Sequence, residues 1–282
     1  RLTVDRCRAK NYRFPQPYHL GVNSWNGTRN HLFSKRGDVA MAEQMDKRDE
    51  VVTTSTVHYK SGDIQMEAYL ARPKANGTYP GLIVIQEWWG LNEHIKDIAR
   101  RFAREGYVAL APDLYSCLGH KVTADPNEAG RLMSSLKEEQ ALKDLQATLA
   151  HLKDVDGVHR ERLWVVGFCM GGTYSLLLPC HGLGIKAAAP FYGQVPSPPE
   201  LLRNLACPVL YIYGDADGWI TMADVNRLRE ALKRYGKAGE VKIYPGAPHA
   251  FFNDTRKDVY RPVEAKDAWT RVLSFFSKHL KS

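Results

Sequence analysis

From about residue 52 the chain alternates short apolar runs with longer amphipathic stretches. Runs rich in β-branched and aromatic residues bounded by turn residues read as strands, and apolar residues recurring every three or four positions read as helices. Val52 to Tyr59 and Gln65 to Arg72 form a predicted hairpin closed through Ser61-Gly62-Asp63. Further strands are predicted at Gly81 to Gln86, Tyr107 to Ala111, Leu163 to Phe168, Ile185 to Phe191, Pro208 to Tyr213 and Glu240 to Tyr244. Helices are predicted at Asn92 to Glu105, 126–136, 138–153, Gly171 to Leu178, Ala223 to Tyr235 and Pro262 to Leu280. Ile95, Ile98, Ala99 and Phe102 mark the inward face of the first, and Leu142, Leu145, Leu149 and Leu152 that of the 138–153 helix. Ala265, Ala268, Trp269, Val272, Phe275 and Phe276 do so in the last. This alternation predicts the α/β class, with a mostly parallel central sheet and helices on both faces. Neither an internal repeat nor a low-complexity linker divides residues 46–282, which are expected to form a single domain.

Composition narrows the picture. The chain has 282 residues, 44% hydrophobic and 25% charged, ordinary values for a soluble globular protein. Its net charge of +8 is concentrated at one end. Residues 1–40 carry eight Lys/Arg and two acids, a surplus of six that leaves only +2 for the rest. That body has no basic run with interleaved aromatics, so nucleic acid is not an expected partner. Residues 1–45 lack helical or strand periodicity and the apolar stretch of a secretory signal. They are expected to be a basic, disordered leader or an upstream extension read through a start at Met41. Five cysteines (Cys7, Cys117, Cys169, Cys180, Cys207) without disulfide or metal spacing fit a reducing, cytoplasmic setting, with no metal expected. No apolar run approaches the roughly 20 residues of a membrane helix, so no membrane association is expected.

The sharpest chemical signal is Gly167-Phe168-Cys169-Met170-Gly171-Gly172, where an apolar strand meets a helix. This is a nucleophile-elbow pattern with Cys as nucleophile. The glycines allow a tight turn at strained dihedrals, and the adjoining helix N-terminus favours a thiolate. The bland alternative is a buried Cys in a glycine-rich turn. A thiol needs a base, and in the chain order nucleophile, acid, His the acid is sought in Gly214-Asp215-Ala216-Asp217. Asp217 is the candidate and Asp215 the alternative, either of which could instead cap a turn. His249, after the final strand in Pro245-Gly246-Ala247-Pro248-His249, is the candidate base. His58, His151, His159 and His279 read as surface residues.

With these motifs assembled, residues 50–280 resemble the dienelactone hydrolase family. The resemblance rests on Gln86-Glu87-Trp88-Trp89-Gly90-Leu91, Ala111-Pro112-Asp113-Leu114-Tyr115, the Cys169 elbow, Gly214-x-x-Asp217 and His249-Ala250-Phe251-Phe252. It implies an α/β-hydrolase fold and a carboxylic ester or lactone hydrolase of the carboxymethylenebutenolidase kind. The implied chemistry is a Cys169-His249-Asp217 triad working through a thioester acyl-enzyme without metal or organic cofactor. Glu87 is implied to control protonation of the nucleophile. The backbone amides of Trp88 and Met170 are the expected oxyanion donors. Trp89, Tyr115 and Phe251 are expected to contact substrate. Where the family has a carboxylate-binding Arg, four residues after the His, this chain has Asn253, with Arg256, Lys257 and Arg261 nearby. The expected partner is a small-molecule ester or lactone, bound by a monomer or weak homodimer. Two alternatives stand beside this reading: a broad carboxylesterase or thioesterase of the same fold, and a catalytically silent binding protein.

Overall fold

In a computed structural model of the protein, residues 51–279 are described. The expected leader at 1–45 and the last predicted helical residue, Leu280, lie outside them. An eight-stranded sheet forms the centre, built from β1 (Val52–Ser61), β2 (Ile64–Pro73), β3 (Tyr79–Ile85), β4 (Val108–Pro112), β5 (Val158–Phe168), β6 (Ala187–Phe191), β7 (Val209–Gly214) and β8 (Gly239–Tyr244). Their spatial order is β1-β2-β4-β3-β5-β6-β7-β8. β1 and β2 form the hairpin, β2 pairs antiparallel with β4, and every other pairing is parallel.

Side chains alternate across the sheet with a period of two, and the two sets enter different cores. Ile83, Ile85, Leu163, Val165, Val209 and Tyr211 face one cluster; Leu82, Val84, Trp164, Val166, Leu210 and Ile212 face the other. Both faces must therefore be covered, which explains the nearly continuous apolar runs of β3 and β5. The second cluster is covered by α1 (Glu93–Arg104), through Ile95, Ile98, Ala99 and Phe102, and by the closing helix α6 (Pro262–Lys278), through Ala265, Ala268, Val272 and Phe276. The first receives α3 (Glu138–Asp154), α4 (Met170–Leu177) and α5 (Met222–Arg234), with α2 (Pro126–Ser135) contributing Met133. The predicted stripes of the first, third and last helices all face inward, although Trp269 and Phe275 are only partly buried.

The departures from expectation are local. β5 begins at Val158 rather than Leu163, because Pro80 pairs with His159 and Gly81 with Leu163. The charged Arg160-Glu161-Arg162 is extruded as a bulge, which masks the start of the strand in the apolar pattern. His151 is not a free surface residue; its ring stacks on Tyr59 at 4.6 Å. Three short 3-10 turns, Ser116–Leu118, Leu178–His181 and Pro199–Asn204, had no periodic signal.

The parallel strands all point the same way, so the segments leaving β3, β5, β6, β7 and β8 gather along one edge of the sheet. Among the described residues, no helix is long and apolar enough to cross a membrane.

Candidate active site

Cys169 occupies the turn between β5 and α4 with φ of 55° and ψ of −116°, a conformation that L-residues rarely adopt. The glycines around it are required by backbone contact. A Cβ at Gly167 would lie 2.0 Å from the Gly171 carbonyl oxygen, one at Gly171 2.3 Å from that of Ile85, and one at Gly172 2.3 Å from that of Phe191. The elbow is thus wedged between β3 and β6. The Cys169 N–H donates to the Phe191 carbonyl at 3.1 Å, which ties the turn to the neighbouring strand. The thiol is 6% exposed. Met170 opens α4, so its N–H has no intrahelical acceptor.

Asp217 follows β7, and its carboxylate is fully buried. Its Oδ1 accepts from the backbone N–H groups of Trp219 at 2.7 Å and Ile220 at 2.9 Å, while Oδ2 lies 2.7 Å from His249 Nδ1. Asp215 faces elsewhere and accepts the Gly246 N–H at 2.6 Å, tying together the turns after β7 and β8. The two candidate acids are therefore distinguished: Asp217 reaches the imidazole and Asp215 caps backbone.

His249 is confined by two aromatic rings, Tyr192 at 5.0 Å and Trp219 at 5.1 Å, both edge-on. With Nδ1 committed to Asp217, the buried Nε2 is left for the thiol and has no other partner. Burial disfavours a charged imidazole, but the negative charge of Cys169, the Asp217 hydrogen bond and contact with the sulfur outweigh it, raising the pKa from 6.5 to about 10. The arrangement favours a charged imidazole at neutral pH.

Glu87, beyond the end of β3, is 1% exposed. Its Oε2 accepts from Asn253 Nδ2 at 2.7 Å, and its Oε1 is buried without a partner. Asn253 Oδ1 in turn accepts from the Thr255 N–H at 3.1 Å and hydroxyl at 2.6 Å. The Asn is therefore committed on both ends. Of the nearby cations, Arg256 lies over the Trp89 ring at 5.9 Å and pairs with Asp258 at 2.6 Å; Arg261 donates to the Tyr260 carbonyl and Lys257 is exposed.

Trp88 and Trp89 are half-buried and meet edge to face at 4.9 Å. Tyr115 and Phe251, expected to touch substrate, are both fully buried. The Tyr115 hydroxyl donates to the Trp88 carbonyl at 2.9 Å and lies 3.6 Å from Met170 Sδ, so one phenol bridges the two residues whose amides are the expected oxyanion donors. Tyr192 was missed by sequence reasoning. It is fully buried with a φ of 39°, its hydroxyl has no partner, and its pKa is raised far above the ordinary value by burial and then by the charges of Glu87, Cys169 and Asp217. Its only sequence signal is its place after β6, where it reads as core. Among the described residues, no group of three or more His, Cys, Asp or Glu is placed to hold a metal ion.

Residues 66–280 match the family described as "Dienelactone hydrolase family". A "Putative carboxymethylenebutenolidase" of Methylorubrum extorquens is 35% identical over 223 residues, 75% of this chain and 76% of that protein. A protein of the same name from Synechocystis is 36% identical over 244 residues, 82% of this chain and 98% of its own. The crystal structure titled a "Putative Dienelactone Hydrolase" from Klebsiella pneumoniae superposes with a TM-score of 0.73 at 36% identity, covering 80% of this chain and 98% of that one. All are similar over the domain that holds Cys169, Asp217 and His249.

Proposed function

The chain belongs to the dienelactone hydrolase family and has the α/β-hydrolase fold, and from that premise we propose that it cleaves a carboxylic ester or lactone with Cys169 as nucleophile. The single observation that carries this reading is the 2.7 Å bond from His249 Nδ1 to Asp217, which leaves Nε2 to the thiol at a strained elbow. The Cys169 thiolate adds to the ester carbonyl carbon, and the carbonyl electron pair moves to oxygen, where the Met170 and Trp88 amides receive it. When the tetrahedral species collapses, the carbon–oxygen bond to the leaving group breaks and the His249 imidazolium gives up its proton to that oxygen. The acyl group is left as a thioester. Neutral His249 then takes a proton from water, whose oxygen attacks the thioester and releases the acid and the thiolate. Asp217 keeps the imidazole in the tautomer and orientation that both half-reactions need.

A broader esterase, indifferent to a carboxylate on the substrate, is favoured over a lactonase that requires one by the commitment of Asn253 to Glu87 and Thr255. Both readings share one test. The protein and its Cys169→Ala variant are incubated with iodoacetamide and with an ester panel that includes a dienelactone. Loss of all turnover in the variant, with alkylation of Cys169 slowed by substrate, is expected. Unchanged turnover, or alkylation only at other cysteines, removes the thiol mechanism.

A further inference from the structure

A cavity of about 210 Å³ opens beside the elbow, where Met170 lines it. One wall is a helical stripe of α4, Met170, Thr173, Tyr174 and Leu177, at the spacing that keeps side chains on a single face. The facing wall is the segment that leaves β6, with Val195, Pro198 and Leu201. The two walls touch at backbone level just before the cavity begins. A Cβ at Gly193 would lie 2.2 Å from the Gly172 carbonyl carbon, and the Gln194 N–H donates to the Thr173 hydroxyl at 2.8 Å. The space thus starts at Met170, the residue after the nucleophile, and extends along α4.

Its chemistry is one-sided. Met170, Tyr174, Leu177 and Val195 are buried, the Thr173 hydroxyl is occupied, Gln194 and Ser197 add polar edges, and among the described residues no Lys or Arg borders the cavity. Among the described residues the charged one in the lining is Glu138, at the exposed first position of α3. An anionic tail therefore meets apolar walls and a like charge, whereas a hydrocarbon tail loses only its contact with water. The volume is below the roughly 300–1,000 Å³ of drug-sized pockets, which suits a short chain or a single ring.

We propose that this cavity receives the acyl chain of a neutral ester while the carbonyl is on Cys169, and that Leu201 sets the length accepted. The inference rests on the reading of Cys169 as nucleophile. That reading makes the acyl part the one held next to Met170, since it remains on sulfur after the alcohol has left.

The test compares p-nitrophenyl acetate with p-nitrophenyl hexanoate, which differ by four methylenes in the acyl chain alone. The ratio of their kcat/KM values is expected to favour hexanoate by about tenfold to a hundredfold, at up to roughly fourfold per buried methylene. Leu201→Trp, which fills the cavity, is expected to bring that ratio near one, and Leu201→Ala to move the preferred chain length upward. An adipate half-ester is expected to be slower than hexanoate, with Glu138→Gln narrowing the gap about threefold. Binding is read separately from catalysis as the affinity of hexanamide against acetamide for the Cys169→Ala protein. Tighter hexanamide binding that Leu201→Trp abolishes supports the pocket. A flat chain-length profile, a ratio unmoved by both Leu201 variants, or a dependence on the alcohol part alone overturns it. If Cys169→Ala still turns over acetate, the nucleophile reading fails instead, and the amide comparison still decides whether the cavity binds a chain.

Discussion

Asp217 and Glu87 are both buried carboxylates near Cys169, and they are held in opposite ways. Asp217 accepts two backbone amides on one oxygen and the imidazole on the other. Glu87 has a single side-chain donor, Asn253, on one oxygen and nothing on the other. A carboxylate held by three donors is fixed in position. One with a bare buried oxygen is exposed to every change in its neighbours, because an unsatisfied polar atom has no compensation for the water it lost. The difference separates a carboxylate locked against the imidazole from one held at a single point.

Asp217→Asn is the strongest way to break the comparison. It keeps the shape but removes the charge that holds the imidazolium, and turnover is expected to fall about 10³- to 10⁴-fold. The pH profile sharpens it. With His249 raised to about 10, protonation of the leaving group persists through neutral pH and fails on the alkaline side near that value. Any stabilisation from the charged imidazole is likewise complete below its ordinary value of 6.5 and lost as pH rises through about 10. In Asp217→Asn the alkaline limit of turnover should move down toward 6.5. A variant with turnover within tenfold of the parent and an unmoved limit would show that Asp217 does not govern the imidazole.

Glu87→Gln comes next. The Gln keeps the contact with Asn253 and removes the charge, and alkylation of Cys169 by iodoacetamide is expected to quicken about three- to tenfold. Turnover should change less than in Asp217→Asn. Equal alkylation rates across the pH range would mean that Glu87 has no electrostatic hold on the nucleophile.

The two carboxylates also differ in how plainly the chain announces them. The turn at Cys169 was legible because the backbone itself needs its flanking residues: Gly167, Gly171 and Gly172 stand where a Cβ would strike a neighbouring carbonyl. The alternating strands and helix stripes were legible because burial on two faces imposes their periods. Asp217 was preferred over Asp215 from the Gly214-x-x-Asp217 pattern, and the path of the loop after β8 brings Asp217 to the imidazole while Asp215 takes the Gly246 N–H. Tyr192 was hidden by its apolar neighbours Phe191 and Pro190; what singles it out is a backbone twist at the strand end. The bulge in β5 and the cavity along α4 depend on pairing between distant segments, which no local pattern reports.

Tyr115→Phe should have a smaller effect than either carboxylate change. The lost hydroxyl bridges Trp88 and Met170, so kcat is expected to fall about three- to tenfold with KM within about twofold. A rise in KM at constant kcat would instead support the substrate-binding role expected of Tyr115.

Asp254→Asn probes the support behind the looser carboxylate, since Asp254 follows Asn253, the donor to Glu87. Burial alone would push the Asp254 carboxyl up, but His94 at 3.3 Å and the Arg101 guanidinium outweigh it and bring the pKa to about 2. A depressed carboxyl stabilises the fold above its ordinary value of 3.8, and that stabilisation is lost as pH falls toward 2. Because the pair is only partly buried and screened by solvent, the variant is expected to lose about 1–2 kcal/mol in urea unfolding at pH 7. The deficit relative to the parent should shrink as the pH is lowered through 3. If the deficit is the same at pH 7 and pH 3, the loop is held by packing rather than by charge. The openness of Glu87 would then come from its single donor alone, independent of the ion pair behind it.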